Sequence, residues 1–320
     1  MSCLWEPGLP QPIAILTSDW HLSLKPPLLR AAEPDWLSAQ GRVMSEIKSL
    51  LDMSRMPVIV AGDMFDRWNA SPGATELLNW AMLNVPPCYA LPGQHDLPYH
   101  NYDDRHKSAF WTLVQADWIA EILPGPNPVG SALYAWGFPW GFPLAPLDRE
   151  QRRKFNAALH PEGLDLAVIH KYVWHDSHKY PGAAAADEVS QFDLGFDAVV
   201  SGDNHQGFLT GRWFNAGTLM RRKADELHLR PQVGILCDDG SVVPYRLDTS
   251  QDVYADPDQV EHLLKRAGLD AFDAQAFVEE LNVLGTESVD FAETVLRMMN
   301  DRDVTAGVRH RILAALESNA

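Results

Sequence analysis

Short apolar segments recur along the first two thirds of the chain, and they constrain its fold more than any other feature. Five of them are rich in strand-forming side chains and lie at residues 13–17, 58–61, 88–91, 166–169 and 198–201. Between the first three, apolar residues recur at helical spacing, as Val43, Ile47 and Leu50 do, and Ser71-Pro72 has the pattern of a helix start. Alternation of short strands with helices predicts an α/β fold.

The remainder of the chain changes character near Ser250. Two apolar segments, residues 233–237 and 242–247, flank Asp238-Asp239-Gly240, and this pattern predicts a β-hairpin. Beyond Ser250 the pattern becomes amphipathic and helical, with Asp256-Pro257 as a helix start. We therefore expect a sheet-containing domain over residues 1–250 and a small helical module over residues 251–320.

Composition limits the setting in which the protein works. The three cysteines of the 320-residue chain are scattered, which favours a reducing compartment. The N-terminus lacks the pattern of a signal peptide, and no apolar segment reaches the length of a membrane span. We expect a soluble cytoplasmic protein without a membrane partner. The formal charge of −17 argues against a nucleic-acid partner, although metal ions on clustered carboxylates can reverse the local sign.

Side chains of the types that bind metals follow each of the five predicted strands. They occur in Ser18-Asp19-Trp20-His21, Gly62-Asp63-Met64-Phe65-Asp66-Arg67 and Gly93-Gln94-His95-Asp96, at His170, and in Gly202-Asp203-Asn204-His205. Loops that follow the strands of an open α/β sheet meet at one edge, so we expect these side chains to converge. Oxygen and nitrogen donors without thiolates suit Mn²⁺, Fe²⁺, Zn²⁺ or Mg²⁺.

This donor set indicates a two-metal centre that hydrolyses phosphoesters. A carboxylate such as Asp63 can bridge two ions about 3.5–4 Å apart. One ion then lowers the pKa of a bound water so that hydroxide forms near neutral pH, and both ions neutralise the charge that grows on the phosphate. We expect His95 to protonate the leaving oxygen as a general acid, with the neighbouring Asp96 orienting its imidazole.

The motifs and their order resemble those of the calcineurin-like metallophosphoesterases. That family has the order D-x-H, G-D-x-x-D-R, G-N-H-D, H and G-H-x-H, and the chain matches it across roughly residues 13 to 250, with G-Q-H-D and G-D-N-H in place of the third and last motifs. The resemblance implies a four-layer αββα sandwich of two mixed sheets flanked by helices. Ser-Asp-x-His-Leu, Gly-Asp-x-Phe-Asp and Gly137-Phe138-Pro139-Trp140 further resemble the SbcD-type branch of DNA double-strand-break repair nucleases, which includes phage versions.

The resemblance also implies a role for each ligand position. By position in the motifs, Asp19, His21 and His205 bind the first metal, Asp63 bridges, and Gln94, His170 and Asp203 bind the second. Two residues depart from the family pattern, since Gln94 replaces an asparagine and Asp203 replaces a histidine. These changes make the second site harder and more negative, which favours Mn²⁺ or Mg²⁺ over Zn²⁺, or else they indicate weak occupancy.

Other polar residues near these motifs have predicted supporting roles. Asp66 and Arg67 are expected to support the site by bonding loop backbone or each other. Lys171, Arg221 and Arg222 could contact phosphate, although short basic runs are as often solvated surface. The alternating aromatics of residues 134–142 are interpreted as a buried strand and its exit rather than as a surface that stacks bases.

Together these observations predict a metal-dependent phosphodiesterase, a DNA exo- or endonuclease of the SbcD-like type. Two alternatives stay open. One is a phosphatase or phosphodiesterase acting on a small molecule or phosphoprotein, and the other is a non-catalytic scaffolding subunit with a degraded second metal site. The resemblance implies DNA as a partner and an SMC-like ABC ATPase subunit that docks on the C-terminal helices. A homodimer is also compatible with the sequence.

Overall fold

The described part of the chain forms two six-stranded β-sheets. The computed structural model describes residues 9–69, 74–148, 150, 152, 163–180 and 182–256, which belong to one compact unit, Met1–Leu263. The predicted helix start at Ser71-Pro72 lies outside the described residues. So does nearly all of the predicted helical module over residues 251–320, together with the ATPase-docking surface expected on it.

Strands and helices alternate through the first half of the chain. The strands are β1 (Pro12–Thr17), β2 (Val58–Ala61), β3 (Cys88–Leu91), β4 (Ile119–Glu121), β5 (Gly125–Val129), β6 (Leu133–Phe138), β7 (Leu164–His170), β8 (Ala198–Gly202), β9 (Phe208–Thr210), β10 (Trp213–Asn215), β11 (Gln232–Cys237) and β12 (Val242–Arg246). The α-helices are α1 (Trp36–Ser54), α2 (Ala74–Asn84) and α3 (Ala109–Gln115). Short 3-10 helices lie at Leu28–Arg30, Gln94–Asp96, Pro98–His100, Tyr102–Lys107, Ala185–Asp187, Val189–Gln191 and Ala224–Glu226. In the described part of the chain, no helix is long and apolar enough to cross a membrane.

Both sheets are mixed, with parallel strands side by side in the middle. The first has the order β12-β11-β1-β2-β3-β4, in which β1 to β4 are parallel and β11 is antiparallel to both neighbours. The second has the order β5-β6-β7-β8-β10-β9, in which β6, β7, β8 and β10 are parallel and the edge strands are antiparallel. The carboxyl ends of β1, β2 and β3 therefore lie at one edge of the first sheet, and those of β7 and β8 at one edge of the second.

Alternate side chains of a central strand enter different cores. Ile15 points to the outer face of the first sheet, where it packs in a cluster with Ile47 of α1, whereas Leu16 points to the second sheet and belongs to a cluster with Val168 and Val200. All of these side chains are fully buried. Burial of this extent contributes roughly 1.5–3 kcal/mol for each aliphatic side chain, so the two clusters hold the layers together.

The segment between β7 and β8 covers the outer face of the second sheet. Val173, Val189 and Leu194 of this segment cluster with Ile169 and Val199 of the sheet. The helices on the first sheet, the two sheets and this outer layer form the sandwich. The prediction of two mixed sheets with flanking helices is confirmed.

The alternating aromatics begin in a strand, as the sequence predicts. Tyr134 and Trp136 are buried in β6, which pairs with the edge strand β5. The strand ends at Phe138, and Phe142 beyond it is 36% exposed.

Candidate metal centre

Loops from both sheets meet where their parallel strands end. Asp19 and Asp63 lie two residues beyond β1 and β2, His170 is the last residue of β7, and Asp203 follows the last residue of β8. Asp19, Asp63 and His170 are almost completely buried. The first sheet therefore contributes one side of the site and the second sheet the other.

Left-handed backbone conformations are concentrated in these loops. Asp19, His21, Asp63 and Asp203 have φ values of 52°, 45°, 52° and 79°. Outside glycine such a conformation costs on the order of 1 kcal/mol or more. Loop hydrogen bonds offset that cost, because the amide of Asp19 donates to the carbonyl of Gly62 at 3.0 Å and the amide of His21 donates to the carbonyl of Asp63 at 2.9 Å.

Three glycines allow the loops to approach one another closely. At Gly93 an added Cβ would lie 2.2 Å from Oδ1 of Asp63, and at Gly62, whose φ is 93°, it would lie 2.0 Å from Nδ1 of His170. At Gly202 it would lie 2.9 Å from the same nitrogen. Real side chains do not tolerate such separations, so the glycines of the three Gly-containing motifs are required by packing.

One group of possible ligand atoms comprises Asp19, His21 and His205, whose atoms lie within 4.8 Å of one another. Nε2 of His21 is 3.2 Å from Nε2 of His205 and 3.9 Å from Oδ1 of Asp19. With metal–nitrogen bonds of about 2.1 Å, two imidazole ligands of one ion stand about 3–3.4 Å apart. The spacing therefore fits a divalent ion.

A second group comprises Asp19, Asp63 and His170. Nδ1 of His170 lies 2.7 Å from the carbonyl of Ala61, and a carbonyl can only accept, so this nitrogen carries a proton. Nε2 lies 3.4 Å from Oδ1 of Asp63 and is buried without a hydrogen-bond partner among the described residues. A buried lone pair that faces carboxylates is poorly satisfied by protein groups and well satisfied by a cation.

A third group, His21, Asp63 and His95, shares members with both of the others. Nε2 of His21 lies 3.7 Å from Oδ2 of Asp63, and Nε2 of His95 lies 3.9 Å from the same oxygen. Asp63 belongs to two of the three groups and Asp19 to two as well. This sharing is the arrangement that two neighbouring ions with a common carboxylate would require.

The electrostatics of the centre are those of a site suited to a cation. Burial raises the pKa of Asp19 to about 6. Burial opposes ionisation of Asp63 too, but His170 and His21 outweigh it and hold the pKa of Asp63 below its ordinary value. Although burial favours a neutral His170, the carboxylates of Asp63 and Asp19 raise the pKa of His170 well above its ordinary value. The carboxylates thus stabilise a proton on His170, at the position where they would also stabilise a bound cation.

The two unusual residues of the motifs bond to each other. Nε2 of Gln94 donates to Oδ1 of Asp203 at 2.8 Å, and the amide of Asp203 donates to Oδ1 of Asp19 at 3.1 Å. Burial raises the pKa of Asp203. Both residues therefore border the centre, while Asp203 lies outside its three compact groups. Their coordination of the second ion stays a prediction.

His95 lies at the open side of the centre. Its side chain is 42% exposed, and its ring stands edge-on to that of His21 with 5.0 Å between centroids. Nδ1 lies 3.1 Å from the carbonyl of Asp66, so it carries a proton and leaves Nε2 towards Asp63. Nε2 can then take up or deliver the second proton of the ring.

The predicted role of Asp96 as the carboxylate that orients His95 is wrong. The carboxylate of Asp96 is fully buried and accepts hydrogen bonds from the amides of Met64, Phe65 and Gly93 at 3.1, 2.9 and 3.0 Å. It faces these amides because adjacent side chains of the one-turn helix Gln94–Asp96 point in different directions. Asp96 therefore holds two loops together, and the group that orients His95 is the carbonyl of Asp66.

Asp66 supports the centre, but not through its neighbour in sequence. Oδ1 of Asp66 pairs with Nη2 of Arg222 at 2.5 Å and lies 3.9 Å from Nδ1 of His21. Arg67 is exposed. Of the two predicted arrangements, bonding to loop backbone or to each other, the second is not found for Asp66, whose carboxylate pairs with Arg222 from another loop.

The other two basic residues predicted to contact phosphate have protein partners. Nζ of Lys171 lies 2.7 Å from Oδ1 of Asp187. The guanidinium of Arg221 donates to the carbonyl of Leu229 at 2.8 Å and to the hydroxyl of Tyr254 at 2.7 Å. Both cations thus have protein partners in this structure, and their contact with phosphate stays a prediction.

Glu226 is a functional residue that the sequence does not reveal. Its buried carboxylate lies 2.7 Å from Nδ1 of His205 and accepts from the amides of Arg222 and Lys223 at 2.6 and 3.1 Å. Burial opposes the charge on His205, but Glu226 and Asp19 raise its pKa above the ordinary value. The contact fixes the ring so that Nε2 faces His21. Glu226 follows a charged run that resembles solvated surface, so no periodicity marks it.

A family model described as calcineurin-like phosphoesterase matches residues 14–207. No curated protein sequence matches the chain significantly. Among similar solved structures is the calcineurin-like phosphoesterase YfkN from Bacillus subtilis, with 11% identity, 79% of this chain and 95% of that chain covered, and a TM-score of 0.42. Another is TT1561 of Thermus thermophilus, with 9% identity, 74% and 99% coverage, and a TM-score of 0.42.

Proposed function

The chain belongs to the calcineurin-like phosphoesterase family, and from that premise we propose that it is a metal-dependent phosphodiesterase whose substrate is DNA. One observation carries the proposal. Three interlocking groups of carboxylate and imidazole atoms share Asp19, Asp63 and His21, and a half-exposed His95 stands at their open side. This arrangement suits hydrolysis of a phosphoester that approaches from solvent.

Each residue has a defined task in such a reaction. Bound at these groups, divalent ions supply an activated water and neutralise charge on the phosphate. Asp19, Asp63, His170 and His205 would hold them, while Glu226 and the carbonyl of Ala61 orient the two imidazoles. His95, held at Nδ1 by the carbonyl of Asp66, delivers the proton on Nε2 to the leaving oxygen.

DNA as the substrate is supported by the motifs rather than by the surface charge. Gly-Asp-x-Phe-Asp, Ser-Asp-x-His-Leu and Gly137-Phe138-Pro139-Trp140 resemble the SbcD-type nuclease branch. Those nucleases cleave phosphodiesters, whose leaving alkoxide needs a general acid, and the 42% exposed side chain of His95 beside Asp63 supports that role for it.

A small phosphomonoester is the second candidate substrate, and the charges favour it. The chain has a formal charge of −17, and Lys171 and Arg222 beside the centre are paired with Asp187 and Asp66. A compact substrate needs fewer cationic contacts than a polymer does. Comparing a chromogenic phosphodiester with a chromogenic phosphomonoester separates the two candidates, because a DNA nuclease should prefer the diester.

The decisive experiment is degradation of linear duplex and single-stranded DNA by the purified chain in Mn²⁺, with and without His95→Ala. We expect metal-dependent degradation that falls by about 10²–10⁴-fold in the variant, the usual contribution of a general acid. His106→Ala is the matched control, because His106 is an exposed histidine bonded to a backbone carbonyl and should leave the rate unchanged. No metal-dependent degradation, or full activity in His95→Ala, would overturn the proposal.

A further inference from the structure

A cleft of about 530 Å³ opens beside the metal centre on the side of His205. Its walls come from the edges of the two sheets, with Phe208 and Leu209 of β9 on one side and Gln232, Pro244 and Arg246 of β11 and β12 on the other. The cleft is therefore a continuation of the centre along the open end of the sandwich.

The cleft differs in charge from the rest of the molecule. Four histidines and two arginines line it, and none of its described lining residues is an aspartate or a glutamate. A chain with a formal charge of −17 would be expected to place carboxylates in a cleft of this size. Their exclusion from these walls indicates a site for an anion.

The two arginines, Arg230 and Arg246, are not committed to the fold. Both are exposed, and Nη1 of Arg246 makes only a long contact of 3.5 Å to the carbonyl of Arg230. As far as the structure describes the chain, neither guanidinium forms an ion pair. By contrast, several other basic side chains are paired with carboxylates, namely Arg30, Arg42, Arg105, Lys107, Arg152, Lys171 and Arg222.

An apolar wall faces these cations. The ring of Phe208 is buried between those of His175 and His178, with centroids 6.1 and 6.4 Å away, and Leu209 beside it is 39% exposed. Nδ1 of His175 lies 3.6 Å from Oε1 of Glu188, which does not line the cleft. Phe208 therefore supports the wall from inside, and Leu209 offers exposed apolar surface in a cleft that also carries cations, as grooves that hold a nucleic-acid strand do.

His205 connects the cleft with the chemistry. Its Nε2 belongs to the group with Asp19 and His21, and the same side chain lines the cleft. A linear ligand with one phosphate at the metal centre can therefore place its next phosphates between Phe208 and the two arginines.

We propose that this cleft binds the sugar–phosphate chain of a single DNA strand next to the scissile phosphate, with Arg230 and Arg246 as its phosphate contacts. The inference rests on the proposed function and adds where the polymer lies. Arg230 and Arg246 do not touch the metal groups. They select a long substrate over a short one, and cleavage of the bond takes place at the metal centre.

The test compares a double variant, Arg230→Gln with Arg246→Gln, with a charge-matched control, Lys25→Gln with Lys48→Gln, whose lysines are exposed elsewhere. Binding of a fluorescent single-stranded oligonucleotide is measured in Mn²⁺ by anisotropy at several salt concentrations, in a His95→Ala background that limits cleavage. Hydrolysis of a chromogenic phosphodiester and of DNA is measured with His95 intact.

We expect the cleft variant to bind the oligonucleotide about 10-fold or more weakly, and its plot of log affinity against log salt to be shallower by about 1.4, since each phosphate contact contributes about 0.7 for a single strand. Hydrolysis of the small diester should be unchanged, while the KM for DNA rises. The control should behave as the parent. Arg230→Lys with Arg246→Lys should restore most of the affinity, which shows that charge and not folding is responsible.

Each other outcome has a definite meaning. If the parent degrades DNA and the cleft variant degrades it equally well, or if the control loses as much affinity, the inference about the cleft fails while the proposed function stands. If the parent hydrolyses the chromogenic diester but neither binds nor degrades DNA, both fail together. If the lysine variant stays as weak as the glutamine variant, the phosphate contacts are disproved.

Discussion

His205 depends on a carboxylate that is distant from it in sequence. Glu226 accepts a hydrogen bond from Nδ1 of His205 at 2.7 Å, and two backbone amides donate to Glu226 in turn. A carboxylate in this position fixes both the tautomer and the direction of an imidazole ligand and makes it more basic. The strength of metal binding at His205 should therefore be set by Glu226.

Glu226→Gln should weaken the affinity for Mn²⁺ by about 10–100-fold, the usual cost of losing such a partner. The amide keeps the shape of the side chain, but it can turn an N–H towards Nδ1 and disfavour the tautomer that leaves Nε2 as ligand. Isothermal titration calorimetry of Mn²⁺ binding to the metal-free protein measures the change in affinity.

Glu46→Gln is the matched control for Glu226→Gln. Glu46 also accepts from a backbone amide, that of Asp248 at 3.0 Å, and from the hydroxyl of Tyr245 at 3.1 Å, but it does not touch the centre. Equal losses of Mn²⁺ affinity in the two variants would contradict the role given to Glu226.

The stability of the metal-free protein should fall as the pH rises from about 4 to about 7. Burial raises the pKa of Asp19 to about 6, and burial together with Asp63 raises the pKa of Asp96 to about 7. Both values lie above the ordinary value of about 3.9, so in this window these two carboxyls hold more protons in the folded chain than in the unfolded chain. Burial lowers the pKa of His21, which acts in the opposite direction but is a single group. Raising the pH then removes protons that favour the folded state.

Mn²⁺ should reverse that trend, because coordination needs an ionised Asp19 and an Nε2 lone pair on His170. The increase in Tm on adding Mn²⁺ should therefore grow between pH 5 and pH 8. Thermal unfolding followed by circular dichroism, in Mn²⁺ and in EDTA, checks this. An increase in Tm that is the same at every pH would exclude the protonation model.

For single residues of the metal centre, the sequence predicts which side chains are present but not which groups they bond to. Asp19, Asp63, His170 and His205 each follow an apolar strand, and the rule that strand ends converge places them together. The partner of His95 was misassigned because Asp96 is adjacent in sequence, whereas its carboxylate turns to three amides. Contacts such as that of Glu226 with His205 depend on the tertiary fold, and local sequence does not encode them.

Among the loops and helices, close approach at glycine decides whether the centre can form. Gly93→Ala would place a Cβ 2.2 Å from Oδ1 and 2.3 Å from the backbone nitrogen of Asp63. We expect a loss of about 1–3 kcal/mol of stability from this overlap, and a marked loss of bound Mn²⁺ because Asp63 is displaced. Chemical denaturation and metal counting on the purified variant measure both effects.

Gly41→Ala, the control for Gly93→Ala, should have the opposite sign. Gly41 lies inside α1, and an added Cβ would meet only Asn84 and Trp80, at 3.8 and 3.9 Å. Alanine is better than glycine in a helix interior by about 0.5–1 kcal/mol, so the free energy of unfolding should rise and metal content stay unchanged. Comparable destabilisation of both variants would mean that the close approach at Gly93 is unimportant.

The central strands and first helix were predictable because their patterns are strong. Val58–Ala61 and Cys88–Leu91 are short apolar runs and form the strands as predicted, and α1 follows its helical spacing. The edge strand β5 has no such pattern, since it contains Pro126 and Pro128, which an edge tolerates. Strand order is set by packing between the sheets, so periodicity does not predict it, and the family resemblance implied only two mixed sheets flanked by helices.

For the whole molecule, net charge and the proposed polyanionic substrate oppose each other. A formal charge of −17 repels DNA, and the carboxylates of Asp19, Asp63 and Asp203 would repel a phosphate at the centre most strongly. Only bound divalent ions reverse the sign there. Metal should therefore be needed for binding as well as for cleavage.

Removing metal should lower the affinity for a single-stranded oligonucleotide by about 10-fold or more, which corresponds to about 1.4 kcal/mol. Fluorescence anisotropy on His95→Ala, in Mn²⁺ and in EDTA at one ionic strength, measures the difference. Equal affinity in both buffers would show that the strand is held without the centre, and would leave binding to groups such as Arg230 and Arg246 alone.

The positive φ angles of Asp19, His21, Asp63 and Asp203 determine how a saturation library of these positions has to be interpreted. Asparagine, aspartate and histidine occupy that region of the backbone map far more readily than other side chains, while a β-branched substituent is a severe outlier there. Alanine at Asp19 would remove a carboxylate and also add a conformational penalty of about 1–2 kcal/mol, so its phenotype exaggerates the importance of the lost ligand. At the three aspartates, asparagine keeps the turn and the shape of the side chain and removes only the charge. At these positions the difference in activity between the asparagine and alanine variants therefore separates the loss of metal coordination from the loss of backbone conformation.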